Sequence, residues 1–170
     1  MAGTLQAGET ASIELAIGNT DTTSADYANF VTAVNDAVAA YTGQGSLAFN
    51  GTTLTFTSDG NPMGDLCIEL NALDDTTVEG SEDLTVSIAN PSSTTGSDIA
   101  TGGTTTVTTT ITDNDIATFS ITGDATVGEG ADAKYVVALA GTLQAGETAS
   151  IELAIGNTDT TSTDLSLIHI

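Results

Sequence analysis

Apolar and polar positions alternate along most of the chain. Ile13, Leu15 and Ile17 interleave with Ser12, Glu14 and Ala16, and Leu54 and Phe56 sit among threonines. Leu66, Ile68 and Leu70 interleave with Asp65, Cys67 and Glu69, and Leu84, Val86 and Ile88 with Thr85 and Ser87. Val107 and Ile111 stand among Thr106, Thr108, Thr110 and Thr112; Phe119 with Ile121 and the run Lys134 to Leu139 close the series. A period of two marks strands with one covered face. Asn50-Gly51, Asp59-Gly60-Asn61-Pro62, Asn90-Pro91 and Gly102-Gly103 supply turn signals between them. The pattern predicts an all-β, antiparallel β-sandwich with the outer faces wet. One segment differs. Tyr27, Phe30, Val31, Val34, Val38 and Tyr41 recur at helical spacing, which predicts a short inserted helix near residues 28–41 over one end of the sandwich. Ser24 or Asp26 is the expected cap, and Gly43 the expected stop.

The chain also repeats itself. Residues 2–24, AGTLQAGETASIELAIGNTDTTS, recur letter for letter at 140–162, a shift of 138 positions from 2 to 140. Asp26 then matches Asp164, and the match ends. So long a period between identical copies suggests tandem whole units rather than a solenoid. We divide the chain into residues 1–115, one repeat lacking its first strands; 116–164, the N-terminal strands of the next; and 165–170. That last stretch, Leu-Ser-Leu-Ile-His-Ile, resembles a translated sequencing adapter and is set aside. Met1 stands where Leu139 stands in the other copy, so it is not read as a natural start.

Charge narrows the function. The 170 residues carry one Lys or Arg and 23 Asp or Glu, a formal net charge of −22. With Lys134 the single cationic side chain, electrostatic binding to nucleic-acid phosphate or anionic lipid is strongly disfavoured. The apolar run near Tyr135 to Ala140 is too short to span a bilayer, so no membrane insertion is expected. Cys67 is alone, which rules out an internal disulfide and a thiolate zinc site. The invited partner is a cation.

The carboxylates gather. Asp74 and Asp75 follow the strand ending at Leu70, Glu79, Glu82 and Asp83 precede the next, Asp113-Asn114-Asp115 end the strand of Val107 to Ile111, and Asp26 follows the strand of Ile13 to Ile17. An up, down, up order brings Asp74 to Glu82 and Asp113 to Asp115 to one pole. Without cations nearby such a pole repels itself, and a hard divalent ion with six to eight oxygen ligands relieves this. Solvated turn residues read equally well from spacing alone.

These segments resemble a family. Asp74-Asp75-Thr-Thr-Val-Glu79-Gly80-Ser-Glu82-Asp83, the closing Asp113-Asn114-Asp115, the Val127-Gly128-Glu129-Gly130 turn and the Asp26-Tyr27 step are similar, in order, to the Calx-beta domain. The resemblance implies an immunoglobulin-like sandwich of the Calx-beta type that binds Ca2+ at one end, as in sodium–calcium exchangers and tandem bacterial surface proteins. It implies ligands at Asp26, Asp74, Asp75, Glu79, Asp113 and Asp115, with Glu82 peripheral, and Glu129 as the early glutamate of the second copy. It further implies an adhesin-like protein, extracellular or at the cell surface, whose partners are adjacent repeats of the same chain and an unidentified surface ligand. No catalytic role is expected: His169 lies in the set-aside tail, and Lys134 and Cys67 have no evident partners. The alternatives are a metal-independent spacer, or a ligand-binding surface built on the Thr106, Thr108, Thr110, Thr112 row.

Overall fold

The computed structural model describes residues 3–96, 99–156 and 158. Met1, Asp164 and the 165–170 tail lie outside them. The architecture is mostly strands, antiparallel in the main sheet and in the terminal hairpin, with one short helix. Five strands form the main sheet: β1 (Thr10–Asn19), β2 (Ser46–Phe49), β3 (Thr53–Thr57), β5 (Glu82–Ser93) and β6 (Thr106–Ile111). Their order is β2-β3-β1-β5-β6, every pair antiparallel. The register sets Ile13 opposite Leu54, Leu15 opposite Ile88, and Ile17 opposite Val86, which collects the apolar set on one face.

Helix α1 (Phe30–Ala40) packs beside β2 and sends Phe30 and the fully buried Val34 inward. Tyr27, Leu54, Phe56 and Leu84 complete the core. The cap is Asn29, whose side chain accepts from the Thr32 amide at 2.9 Å, instead of Ser24 or Asp26. Asp26 is engaged elsewhere, closing its own turn onto the Thr23 amide. The helix stops at Tyr41, before Gly43.

Two expectations change. The segment Leu66 to Leu70 keeps its alternation, with Leu66, Ile68 and Leu70 half-buried and Asp65, Cys67 and Glu69 exposed, yet it is not a ladder strand. Alternation reports which side is covered; it does not supply a neighbour to hydrogen-bond. The segment's attachment is a bridge from Ala72 to Tyr27, with Ala28 N donating to Asn71 O and Leu73 N to Asp26 O, both at 2.8 Å. Asn90-Pro91 is no chain reversal either. It is a bulge inside β5, where the register steps from Glu14 opposite Ala89 to Ser12 opposite Ser92. Asn90 takes the left-handed conformation at φ 51, and proline's missing N–H costs nothing at an unpaired position.

Beyond β6 the chain forms the hairpin β7 (Thr118–Gly123) and β8 (Tyr135–Ala140), pairing Phe119 with Leu139 and Ile121 with Val137. Two short strands, β4 (Thr77–Val78) and β9 (Thr142–Leu143), pair in parallel. They join the acidic connection to the opening residues of the second copy. Among the described residues no helix is long and apolar enough to cross a membrane.

Candidate metal site

The site lies at one end of the main sheet, where four connections meet. Asp26 sits in the turn after β1, and the Tyr27–Ala72 bridge fixes that turn against the segment leading to Asp74 and Asp75. Tyr27 anchors the turn from below, buried, with its hydroxyl donating to Asn19 Oδ1. Asp75 Oδ1 accepts from the Thr77 amide at 2.6 Å and turns the chain into β4. Glu79 leaves β4, and Glu82 opens β5 directly opposite Ile111 of β6. Two residues past that strand, Asp113 Oδ2 accepts the Glu79 amide at 2.8 Å and its Oδ1 the Asp115 amide at 2.9 Å. Asn114 Nδ2 donates to Asp74 Oδ1 at 3.0 Å.

The antiparallel β5–β6 pair and the Tyr27–Ala72 bridge bring these acids to one place. Asp26, Asp74, Asp75, Glu79, Asp113 and Asp115 all line a cavity of about 260 Å³, with Glu82 and Asn114 among them and no lysine or arginine. Glu129 does not line it. It is exposed in the β7–β8 loop, beside the Gly128–Ala131 turn.

The resemblance implies Glu82 as a peripheral ligand; in the structure its carboxylate stands beside those of Asp26 and Glu79. One carboxylate oxygen from each of Asp26, Glu79 and Glu82 falls within 4.8 Å of the others. The signal was present in the strand's parity. Glu82 shares the phase of Leu84, Val86 and Ile88, so it points to the same side as the core. Asp83, of opposite phase, turns away and accepts from Thr110 Oγ1 at 2.6 Å.

Gln144 was not anticipated at all. Its side chain, carried in by the β4–β9 pairing, donates from Nε2 to Glu79 Oε1 at 3.3 Å and to Glu82 Oε1 at 3.2 Å. An amide N–H group from the second copy therefore bridges two acids of the first. No motif marks this residue, because its role depends on a contact far away in sequence.

The electrostatics follow the geometry. Desolvation, then the neighbouring Glu82, Asp75, Asp26 and Asp113 carboxylates, raise the Glu79 pKa above its ordinary 4.5. Asp115 is raised as well, by desolvation and by Asp113, Asp74 and Asp75. Asp113 is lowered, because the Asp115 and Glu79 amides favour its ionised form.

Oxygen is the sole donor type among these acids, which suits a hard cation. Two oxygens on opposite sides of one Ca2+ shell lie about 4.6–5.2 Å apart, and on Mg2+ about 4.0–4.2 Å. The Asp26, Glu79 and Glu82 oxygens, all within 4.8 Å of one another, are close enough to share one cation's oxygen shell. Comparison with protein-family models, curated proteins and solved structures finds no match to this chain.

Proposed function

We propose that the chain is a Ca2+-binding structural repeat that stiffens the joint between successive copies in a long extracellular, adhesin-like protein. One observation carries this reading. The carboxylates of four separate connections converge on the place where the second copy touches the first. Acids gathered by four chain segments repel one another, and a cation held among Asp26, Glu79 and Glu82 would replace that repulsion with attraction. Asp74, Asp75, Asp113 and Asp115 would supply further oxygens or negative potential around it.

The ion would link segments that the backbone leaves loosely joined. The turn after β1, the β4 connection and the start of β5 each contribute one oxygen to the central trio, so one ion ties three chain segments together. The resemblance to Calx-beta repeats, their order along the chain and the identical 2–24 and 140–162 copies support the extracellular setting.

A second reading has its own observation. Gln144 already bridges Glu79 and Glu82 through hydrogen bonds, so a metal-independent spacer could hold the same joint. Titrating the full chain with Ca2+ after chelator treatment distinguishes the two. A binding heat with a rise in melting temperature, smaller for Mg2+, supports the calcium joint. No heat and an unchanged melting temperature in millimolar Ca2+ leave the spacer.

A further inference from the structure

We propose that residues 142–147 are a two-state latch: the turn either docks on β4, as here, or closes on itself through Glu147, which then takes the Gln144 amide away from Val78. Two copies of one sequence carry the argument. Thr4-Leu-Gln-Ala-Gly-Glu9 and Thr142-Leu-Gln-Ala-Gly-Glu147 are identical, so a difference between them comes from what lies beside them.

Both copies build the same turn. Glu9 N donates to Gln6 O at 3.1 Å, and Glu147 N to Gln144 O at 3.0 Å. Gly8 and Gly146 supply the left-handed conformation it needs, at φ 87 and 98. The copies part at one donor, the glutamine backbone amide. In the first, Gln6 N donates to Glu9 Oε2 at 2.8 Å, and Thr4 and Leu5 stand in no strand. In the second, Thr142 and Leu143 pair with β4, and Gln144 N donates to Val78 O at 3.1 Å. Exposure changes to match. Gln6 is exposed and Glu9 half-buried, whereas Gln144 is half-buried and Glu147 exposed.

Docking thus exchanges a carboxylate acceptor for a carbonyl at the same N–H. A charge-assisted hydrogen bond is the stronger of the two taken alone, so the self-closed turn competes with the docked one. The β4 pairing and the Gln144 side chain on Glu79 and Glu82 offset that loss. Docking also carries Glu147 toward the acidic connection, where a Cβ on Gly80 would lie 4.0 Å from Glu147 Oε1. Glu147 therefore opposes docking twice, as the rival acceptor of the open state and as a like charge in the closed one. The same rivalry makes opening reversible: a released turn recaps its own amide, so no donor is orphaned while the clasp is apart.

Amide hydrogen exchange on the full chain in chelator tests this and reads the latch with no cation present, independently of the calcium reading. Val78 is the reporter, because it lies across the clasp from the altered turn. Glu147→Ala deletes the rival acceptor, and exchange at Val78 is expected to slow by about fivefold, the worth of one hydrogen bond lost from the open state. Glu147→Gln drops the charge but keeps a carbonyl acceptor, so its slowing is smaller. Glu9→Ala speeds exchange at Gln6, whose cap it removes, and leaves Val78 unchanged. A glutamate that only braced the turn would give the opposite sign, faster exchange at Val78 in Glu147→Ala. Unchanged or faster exchange there, equal slowing in the Ala and Gln variants, or a Gln6 amide indifferent to Glu9→Ala overturns the proposal.

Discussion

Replacing Glu82 by glutamine tests the site at the position where structure and sequence disagree. The substitution removes one charge and keeps the side-chain length. The backbone pairing of Glu82 with Ile111 is untouched, and a glutamine oxygen can still accept from Gln144. The apo fold should therefore hold. Under the calcium reading the variant replaces one of the three charged oxygens of the central trio by a neutral amide oxygen. Losing a charged ligand weakens affinity by about tenfold or more. At a Ca2+ concentration about a hundredfold above Kd, the wild type gains about 2.7 kcal/mol. The variant, at about tenfold above its own Kd, gains about 1.4 kcal/mol. For a chain of this size that is about 5–11 °C of melting shift falling to about 3–6 °C. Differential scanning fluorimetry with and without CaCl2 reads both numbers, and Glu129→Gln serves as a control away from the cavity. Equal shifts in the wild type and Glu82→Gln would return Glu82 to the periphery; a shift lost equally in Glu129→Gln would refute the location of the site.

Three further outcomes follow from the same geometry. Glu79 and Asp115, both raised, lend the apo fold stability that is present below their ordinary values and is lost as pH rises through their raised ones, whereas Asp113, lowered, lends stability that is lost as pH falls through its own; Ca2+ must displace the protons on the first two, so the melting shift it causes should be smaller at pH 5 than at pH 7. Asp113→Asn should lower the apo melting temperature, because both carboxylate oxygens accept backbone amides and an asparagine offers one acceptor for the two; an apo protein as stable as the wild type would show those bonds to be dispensable. Gly45→Ala should destabilise by about 1 kcal/mol or more, since φ is +67 and the added Cβ would lie 2.4 Å from the Thr57 carbonyl oxygen; chemical denaturation measures it, and a neutral result would refute the tight approach.

The legible part of the molecule was that encoded locally. Strand phase at Ile13 to Ile17, Leu84 to Ile88 and Val107 to Ile111 gave the sheet, and helical spacing from Tyr27 to Tyr41 gave the helix to within two residues at its start. The six acids assigned to the first repeat line one cavity; the antiparallel β5–β6 pair sets the start of β5 beside the end of β6, and the Tyr27–Ala72 bridge brings Asp26 beside the segment of Asp74 and Asp75. What stayed hidden depends on partners. Leu66 to Leu70 reads as a strand because its burial alternates, while its missing ladder is a property of its surroundings. Asn90-Pro91 carries the composition of a turn and serves as a bulge because β1 continues alongside it. Asp26 looked like a helix cap and instead closes its own turn. Gln144 has no local signal at all.

The β4–β9 pairing has a mechanical consequence. It joins Thr77 to Thr142 and Val78 to Leu143, so the chain between them, including residues 112–117, forms a closed detour. Tension entering before β4 and leaving after β9 crosses the clasp first, and the detour stays slack until the clasp opens. The two strands are parallel, so the pull runs along them and loads their hydrogen bonds together in shear instead of unzipping them one at a time. Val78 O, which accepts from the Gln144 amide at 3.1 Å, shares that load. When the clasp fails, the stretch between β6 and β9 is free to extend while β5 and β6 keep their places in the main sheet.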